Sequence, residues 1–187
     1  VIANRMAYIG NIKQDGIVYG DRVLKSEVNK FDTFPETRKI EASVNDGDSI
    51  VKLEAYADRL LIFKKNKMEL INISQEVEFL EDTFMHKGVS SPASVCKTDF
   101  GIAWVNEFGC YLYDGRIRNL TENKIDDDTW KSHVTSNTIL GYDPVKKQCF
   151  VVDDSSASLQ DVYVYDFKTK SWILGKDIFG DGVIMTN

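Results

Sequence analysis

The chain has 187 residues, 43% hydrophobic and 28% charged, which is enough apolar material for a sizeable core. Its 23 basic residues are scattered among 29 acidic ones, for a formal net charge of −6. That pattern excludes the basic stripe that a dedicated nucleic-acid groove needs to neutralise phosphates, and no apolar run approaches the roughly 18 residues of a membrane-spanning helix.

From the N-terminus, RMAYIGN (5–11), a turn at Gln14-Asp15-Gly16, IVYG (17–20) and RVLKS (22–26) predict three strands whose companion first strand is missing. SEVNKFDTFPETRK (26–39) is a connector with room for one helical turn before Pro35 breaks it. VKLEAYA (51–57), LLIFK (60–64), MELINI (68–73) and VEFLE (77–81) then read as four short strands in a meander, with a Lys-Asn-Lys turn in the middle. ASVCKT (93–98), GIAWV (101–105), CYLY (110–113) and RIRNLT (116–121) repeat the order, with turns at Asp99-Phe100, Asn106 to Gly109 and Asp114-Gly115. In ENKIDDDTWKSHVT (122–135), Asp126 to Asp128 stand ahead of Trp130, an acidic turn that suits the positive end of a short helix. TILGYD (138–143), QCFVV (148–152), VYVYD (162–166) and SWIL (171–174) form the last such set, and GVIMTN (182–187) reads as a lone first strand.

Three complete sets begin at Val51, Ala93 and Thr138, spacings of about 42 and 45 residues. In the central hairpin, Ile102 and Trp104 lie on one face with Ala103 and Val105 on the other, and Tyr111 and Tyr113 oppose Cys110 and Leu112. Strands apolar on both faces expect a packed layer on each side. Four-stranded units at a 40–50 residue period with doubly apolar strands are the pattern of β-propeller blades. The expected fold is therefore all-β with little helix: a single propeller domain or segment over 1–187, with blade units near 5–26 (incomplete), 51–81, 93–121 and 138–174. Two arrangements stay open. Strand 182–187 completes the first blade and closes a four-bladed ring, or the chain is a slice of a larger propeller, which the start without Met favours slightly.

The chemistry-bearing residues are sparse. Cys96, Cys110 and Cys149 are odd in number, far apart and without a CxxC pair, and the histidines are only His86 and His133, so the cysteines read as reduced thiols at strand positions. There is no G-x-S-x-G elbow and no Walker A loop, and the glycines of GKDIFGDG (175–182) have the wrong offsets for a dinucleotide fingerprint. Glycosidases need two carboxylates at a set separation; the candidates are Glu54, Glu107, Asp114 and the run Asp126 to Asp128. Glu54 sits in a first strand, which lines the channel of a propeller, where a lone Glu is more often solvated. Asp114 and Asp166 occupy turn corners where Asp caps its own backbone. Asn45-Asp46-Gly47-Asp48 and Asp153-Asp154 are oxygen-rich but lack the full calcium-loop spacing. Asn72-Ile-Ser and Asn119-Leu-Thr match the glycosylation sequon, with nothing else pointing to that setting. Trp104, Trp130 and Trp172 fit core packing better than sugar stacking. No residue is assigned as catalytic, cofactor-binding or metal-ligating, and no enzyme activity is expected.

SSPASVCKTDFGIAWVNEFGCYLYDGRIRNLTENKI (90–125), with DRLLIFKK (58–65) before it and VYVYDFKTKSW (162–172) after it, resembles the propeller-bearing tail-tube or nozzle proteins of short-tailed bacteriophages, also described as tail stabilisation or accessory factors. The resemblance runs over roughly 50–175 and rests on blade motifs. It implies a non-enzymatic virion component of the tail, assembled in the bacterial host cytoplasm as a hexameric ring. Its implied partners are other tail subunits, toward the portal and adaptor on one side and the tail tip or fibres on the other. DNA would pass through the ring without specific binding, and no membrane is involved. The alternatives are a carbohydrate-binding or glycan-degrading propeller, with Glu54 as one of its acids, and a kelch-like interaction propeller, which the missing diglycine element disfavours.

Overall fold

The computed structural model describes residues 1–41, 46–75, 77–153 and 160–179. The strand expected at 182–187, most of the polar loop 153–161, and Asn45 and Asp154 of the two oxygen-rich loops lie outside these residues. The chain divides into two compact units, Val1–Val89 and Ser90–Asn187. Each holds two four-stranded antiparallel sheets in simple meander order.

In the first unit, β1 (Ile2–Ala3), β2 (Met6–Gln14), β3 (Ile17–Lys25) and β4 (Lys39–Glu41) make one sheet. This corrects the incomplete set expected over 5–26. The stretches 17–20 and 22–26 are one continuous strand, because Gly20 and Asp21 keep extended backbone between them, and two short strands flank the long hairpin. The connector 26–39 holds an isolated Glu27–Lys30 bridge in place of a helical turn. A bulge between Gly10 and Ile12, with Asn11 at φ +53, bends the long hairpin, and the Asn11 amide donates to the Ile50 carbonyl at 3.2 Å. The second sheet is β5 (Ile50–Tyr56), β6 (Arg59–Lys64), β7 (Lys67–Asn72) and β8 (Phe79–Met85). Tyr8, Val23 and Ile40 of the first sheet pack with Ile50, Leu53, Leu60, Ile62 and Ile71 of the second to form this unit's core. On the reverse face of β6 and β7, Leu61, Phe63, Met68 and Leu70 are also buried, so both faces of the central hairpin are covered.

In the second unit, Pro92–Ser94 form a single 3-10 turn that leads into β9 (Val95–Thr98), followed by β10 (Gly101–Asn106), β11 (Gly109–Tyr113) and β12 (Ile117–Asn119). The helix α1 (Asp127–His133) follows, with Asp126 capping it by accepting from the Thr129 amide at 3.1 Å, as the acidic turn predicts. The fourth sheet is β13 (Thr138–Asp143), β14 (Gln148–Asp153), β15 (Gln160–Asp166) and β16 (Ser171–Phe179). Ala103, Val105, Cys110 and Leu112 share one face and meet Leu140, Cys149, Val151, Tyr163 and Tyr165 of the facing sheet, with Trp130 of α1 closing the layer. Ile102, Trp104, Tyr111 and Tyr113 occupy the other face and are buried too. The doubly apolar reading of this hairpin is therefore correct.

Two directed polar contacts tie α1 and the last strand of this unit to the β9–β12 sheet and the segment that leaves it. Trp130 Nε1 donates to the Asn106 carbonyl at 2.9 Å and Trp172 Nε1 to the Leu120 carbonyl at 2.8 Å. A third clasp joins the two sheets at a turn, where the Tyr142 hydroxyl donates to Asp99 at 2.9 Å, Lys147 pairs with the same carboxylate, and Phe100 stacks on Phe167 with ring centroids 4.5 Å apart.

The close approach of β11 to the turn before β10 requires glycine at Gly101, whose φ is +137 and whose missing Cβ would stand 2.1 Å from the Tyr113 carbonyl oxygen. Gly101→Ala should cost about 2 kcal/mol or more, against about 1 kcal/mol for Gly16→Ala at an open turn, as read by urea unfolding. The hydrogen bonds from Lys147 and Tyr142 hold the Asp99 carboxyl below its ordinary range. A carboxyl with a depressed folded-state pKa contributes stability above its unfolded pKa and loses it as pH falls through the folded value. Melts taken from neutral to acid pH should therefore show a loss of stability in the wild type that Asp99→Asn shows less of.

Candidate functional site

The charged residues buried deepest lie on the core-facing side of the β6–β7 hairpin. Side chains alternate along a strand, so Ile62 and Lys64 on β6 share a face with Lys67, Glu69 and Ile71 on β7, and the pairing Ile62↔Glu69 fixes this register. The side chains of Lys64 and Glu69 are both 0% exposed. A charge so placed must be paired, because desolvation otherwise costs several kcal/mol per ion.

The partners come from the hairpin and from the loop ahead of β5. Lys64 Nζ lies 2.8 Å from Asp46 Oδ2 and 3.9 Å from Glu69 Oε1. Lys67 Nζ bridges the same two acids, 2.6 Å from Asp46 and 3.0 Å from Glu69. Two cations thus face two anions. Burial alone would push the Asp46 carboxyl up, but hydrogen bonds from Lys64, Lys67 and the Asp48 amide overcome it and hold it down at about 2. Lys67 is pulled down by burial and raised more strongly by its bonds to Asp46 and Glu69, so it stays protonated. Glu69 is held by the two lysines, with Lys67 the nearer.

Asp48 completes the clasp by accepting from the Lys65 and Asn66 amides, each at 2.9 Å. The loop read from sequence as an oxygen-rich calcium candidate is therefore a strap across the hairpin turn. Asp46 faces two lysines and Asp48 two backbone amides. Among the described residues no group of three or more His, Cys, Asp or Glu side chains is arranged to hold a metal ion.

The other sequence candidates are not brought together. Glu54, in β5, pairs with Lys52 at 3.6 Å, and Glu107, in the β10–β11 turn, pairs with Lys131 at 3.3 Å. Asp114 pairs with Arg118, whereas Asp166 accepts from the Lys168 and Thr169 amides at 2.8 and 3.1 Å. The expected equivalence of these two turn corners is thus incorrect: Arg118 competes for Asp114, and it is Asp143 that repeats the Asp166 turn, accepting from Val145 and Lys146. Asp126 caps α1, and Asp127 and Asp128 lie exposed in its first turn. Trp104 and Trp130 are buried, and Trp130 meets Trp172 edge-on at 5.6 Å, which is core packing.

Both sequon matches have the same local explanation. Asn72 Oδ1 accepts from the Ser74 amide at 3.0 Å and its hydroxyl at 2.6 Å; Asn119 Oδ1 accepts from the Thr121 amide at 3.0 Å and its hydroxyl at 2.7 Å. Asn and Ser or Thr two residues apart build an Asx-turn where the chain leaves a strand. The three cysteines are buried free thiols, and desolvation pushes Cys110 up to about 12 and Cys149 up as well, which disfavours the thiolate at both.

The buried charge cluster was missed in the sequence, although a signal was present. In LLIFKKNKMELINI, Lys64, Lys67 and Glu69 have the same parity as the core residues Ile62 and Ile71 once the two-residue turn is placed. Charges of opposite sign on an inward face must meet one another.

No known protein family and no curated protein matches this chain. Function is therefore argued from the fold and from these side chains.

Removing one member of the cluster should be far worse than removing a pair. Glu69→Ala leaves two buried ammonium groups to one carboxylate and should cost about 3 kcal/mol in a urea melt. Lys64→Met with Glu69→Leu keeps the Lys67–Asp46 pair and should recover about 2 kcal/mol of that loss.

Proposed function

We propose that this chain is a β-propeller segment acting as a structural component of a bacteriophage tail, part of the tube or nozzle of a short-tailed phage. The observation that carries this reading is the repeated four-stranded antiparallel sheet whose central strands, β6 with β7 and β10 with β11, are buried on both faces. Blades of a propeller need that composition, and the family resembled at 58–65, 90–125 and 162–172 is built from them.

The state of the charged side chains supports a role without catalysis. Glu54, Glu107, Asp99, Asp114 and Asp46 each face a cation. A general acid or base needs a proton affinity near the working pH, and hydrogen bonds from their cations hold Asp99 and Asp46 below the ordinary carboxylate range. The net charge of −6 suits the wall of a DNA conduit, since like charge keeps a passing duplex from adhering. In this reading six copies form the ring, with other tail subunits above and below it.

Sedimentation velocity and particle imaging of the purified protein test the reading. The expected result is a ring of six copies; monomers alone in both measurements at every concentration would overturn it.

A further inference from the structure

We propose that copies of this chain dock head to tail through the two ends of the second unit, the basic end of one copy on the acidic end of the next. Strand register and side-chain contacts sort the turns of the unit into these ends. The β9–β10, β13–β14 and β15–β16 turns gather at one, where Lys147 pairs with Asp99 and Phe100 stacks on Phe167. The β11–β12 turn joins them, since Gly101 lies against the Tyr113 carbonyl. At the opposite end are the β10–β11 turn, α1 and the exit of β14. There Trp130 Nε1 donates to the Asn106 carbonyl at 2.9 Å, and the Thr135 hydroxyl to Asp153 at 2.7 Å.

The first end carries spare positive charge. Its acids are engaged: Asp99 by Lys147, Asp114 by Arg118, and Asp143 and Asp166 by amides of their own turns. Arg116, Lys146, Lys168 and Lys170 are exposed and form no ion pair among the described residues. The opposite end carries spare negative charge. Asp127 and Asp128 are exposed there without an ion pair among the described residues, close to Asp126 and Asp153, and the lysine of α1, Lys131, is already taken by Glu107.

Each end also has an apolar tip. Val145, 84% exposed, stands next to Lys146, and Phe108, 50% exposed, stands next to Glu107. An apolar centre with a charged rim is the composition of a docking patch, in which the rim selects partner and orientation. Charge names the occupant. A second copy brings the complementary end on the same body, whereas two like ends repel, so the contact joins two different patches. Such a heterologous contact closes into a ring or runs on as an open chain, according to the rotation between copies. These would be the contacts between neighbours in the ring proposed above, and as such they rest on that reading. Duplex DNA fits the basic end less well, because the cations there sit among Asp99, Asp114, Asp143 and Asp166 in a chain of net charge −6.

Mixing two full-length variants, Val145→Cys and Phe108→Cys, with a flexible bismaleimide tests the contact. Both positions are exposed turn tips, and the native thiols Cys96, Cys110 and Cys149 are buried. The expected product joins residue 145 of one copy to residue 108 of another, in the mixture and in neither variant alone. It should be lost at about 1 M salt, where charges are screened within ~3 Å. Adding Lys146→Glu and Lys168→Glu to the first variant should abolish it, and adding Asp127→Lys and Asp128→Lys to the second should then restore it. No crosslink in the mixture, or one that charge reversal leaves unchanged, overturns the proposal. Rings of six that assemble without the crosslink overturn the contact and leave the ring; crosslinked open chains support the contact and overturn the ring. Binding of duplex DNA that depends on Lys146 and Lys168, with no crosslink between copies, gives the basic end to nucleic acid and overturns the proposal too.

Discussion

Burial of a strand on both faces is the constraint from which most of this structure follows. β6, β7, β10 and β11 have no wet side, so their backbone groups must be satisfied by neighbouring strands and their side chains by packing. A hairpin of this kind needs one flanking strand on each edge, and four strands is the smallest antiparallel set that supplies them. The flanking strands are shorter or more polar, as with β12 at three residues and the largely exposed β8, because they meet solvent on at least one side. Polar residues then collect at strand exits, where Asn72, Asn119, Asp143 and Asp166 turn the chain by accepting from amides two or three residues ahead.

The two units answer the same constraint differently. In the second, the space between sheets is filled by neutral groups: three thiols, four large aromatics and short aliphatic residues, with the two indole N–H groups each given a carbonyl. Such a core has no charge to lose. In the first, the sheet-facing side of the β6–β7 hairpin ends in Lys64, Lys67 and Glu69, and folding closes only when Asp46 arrives from outside the hairpin to balance them. The strap loop is therefore more than a connector. Without it, Lys64 and Lys67 would share one acid, Glu69.

The fold was legible because two-faced burial writes itself as apolar residues at successive positions. GIAWV and LLIF admit no amphipathic helix or one-sided strand, and Asp-Gly, Asn-Glu and Lys-Asn mark the turns between them. The long hairpin of the first sheet was harder. Gly20-Asp21 reads as a break, yet the backbone passes through it extended, since Gly20 packs its bare Cα against Ser49 and needs no turn there. The terminal strands, two and three residues long, are too short to show a period. The candidate site was only half visible. Asp46 and Asp48 stood out as oxygen-rich, but their partners lie some twenty residues on, and a loop that binds lysines looks the same in sequence as one that binds cations.

Ion pairs answer one further question, how a chain with this many carboxylates accommodates them. Glu54, Glu107, Asp99 and Asp114 are all near the surface, and each is within reach of a cation. Screening by solvent makes such pairs weak, so they contribute little to stability one by one. In the buried cluster the medium also opposes the charges of Lys64 and Glu69, so pairing there is a requirement of folding. Coulomb attraction and the cost of desolvation act in opposite directions on Lys64 and Glu69, and neither charge is kept without the partners that face it. Charge in the core of the first unit is therefore tolerated only where a structural requirement, balancing an inward face, has brought Asp46 to Lys64 and Lys67.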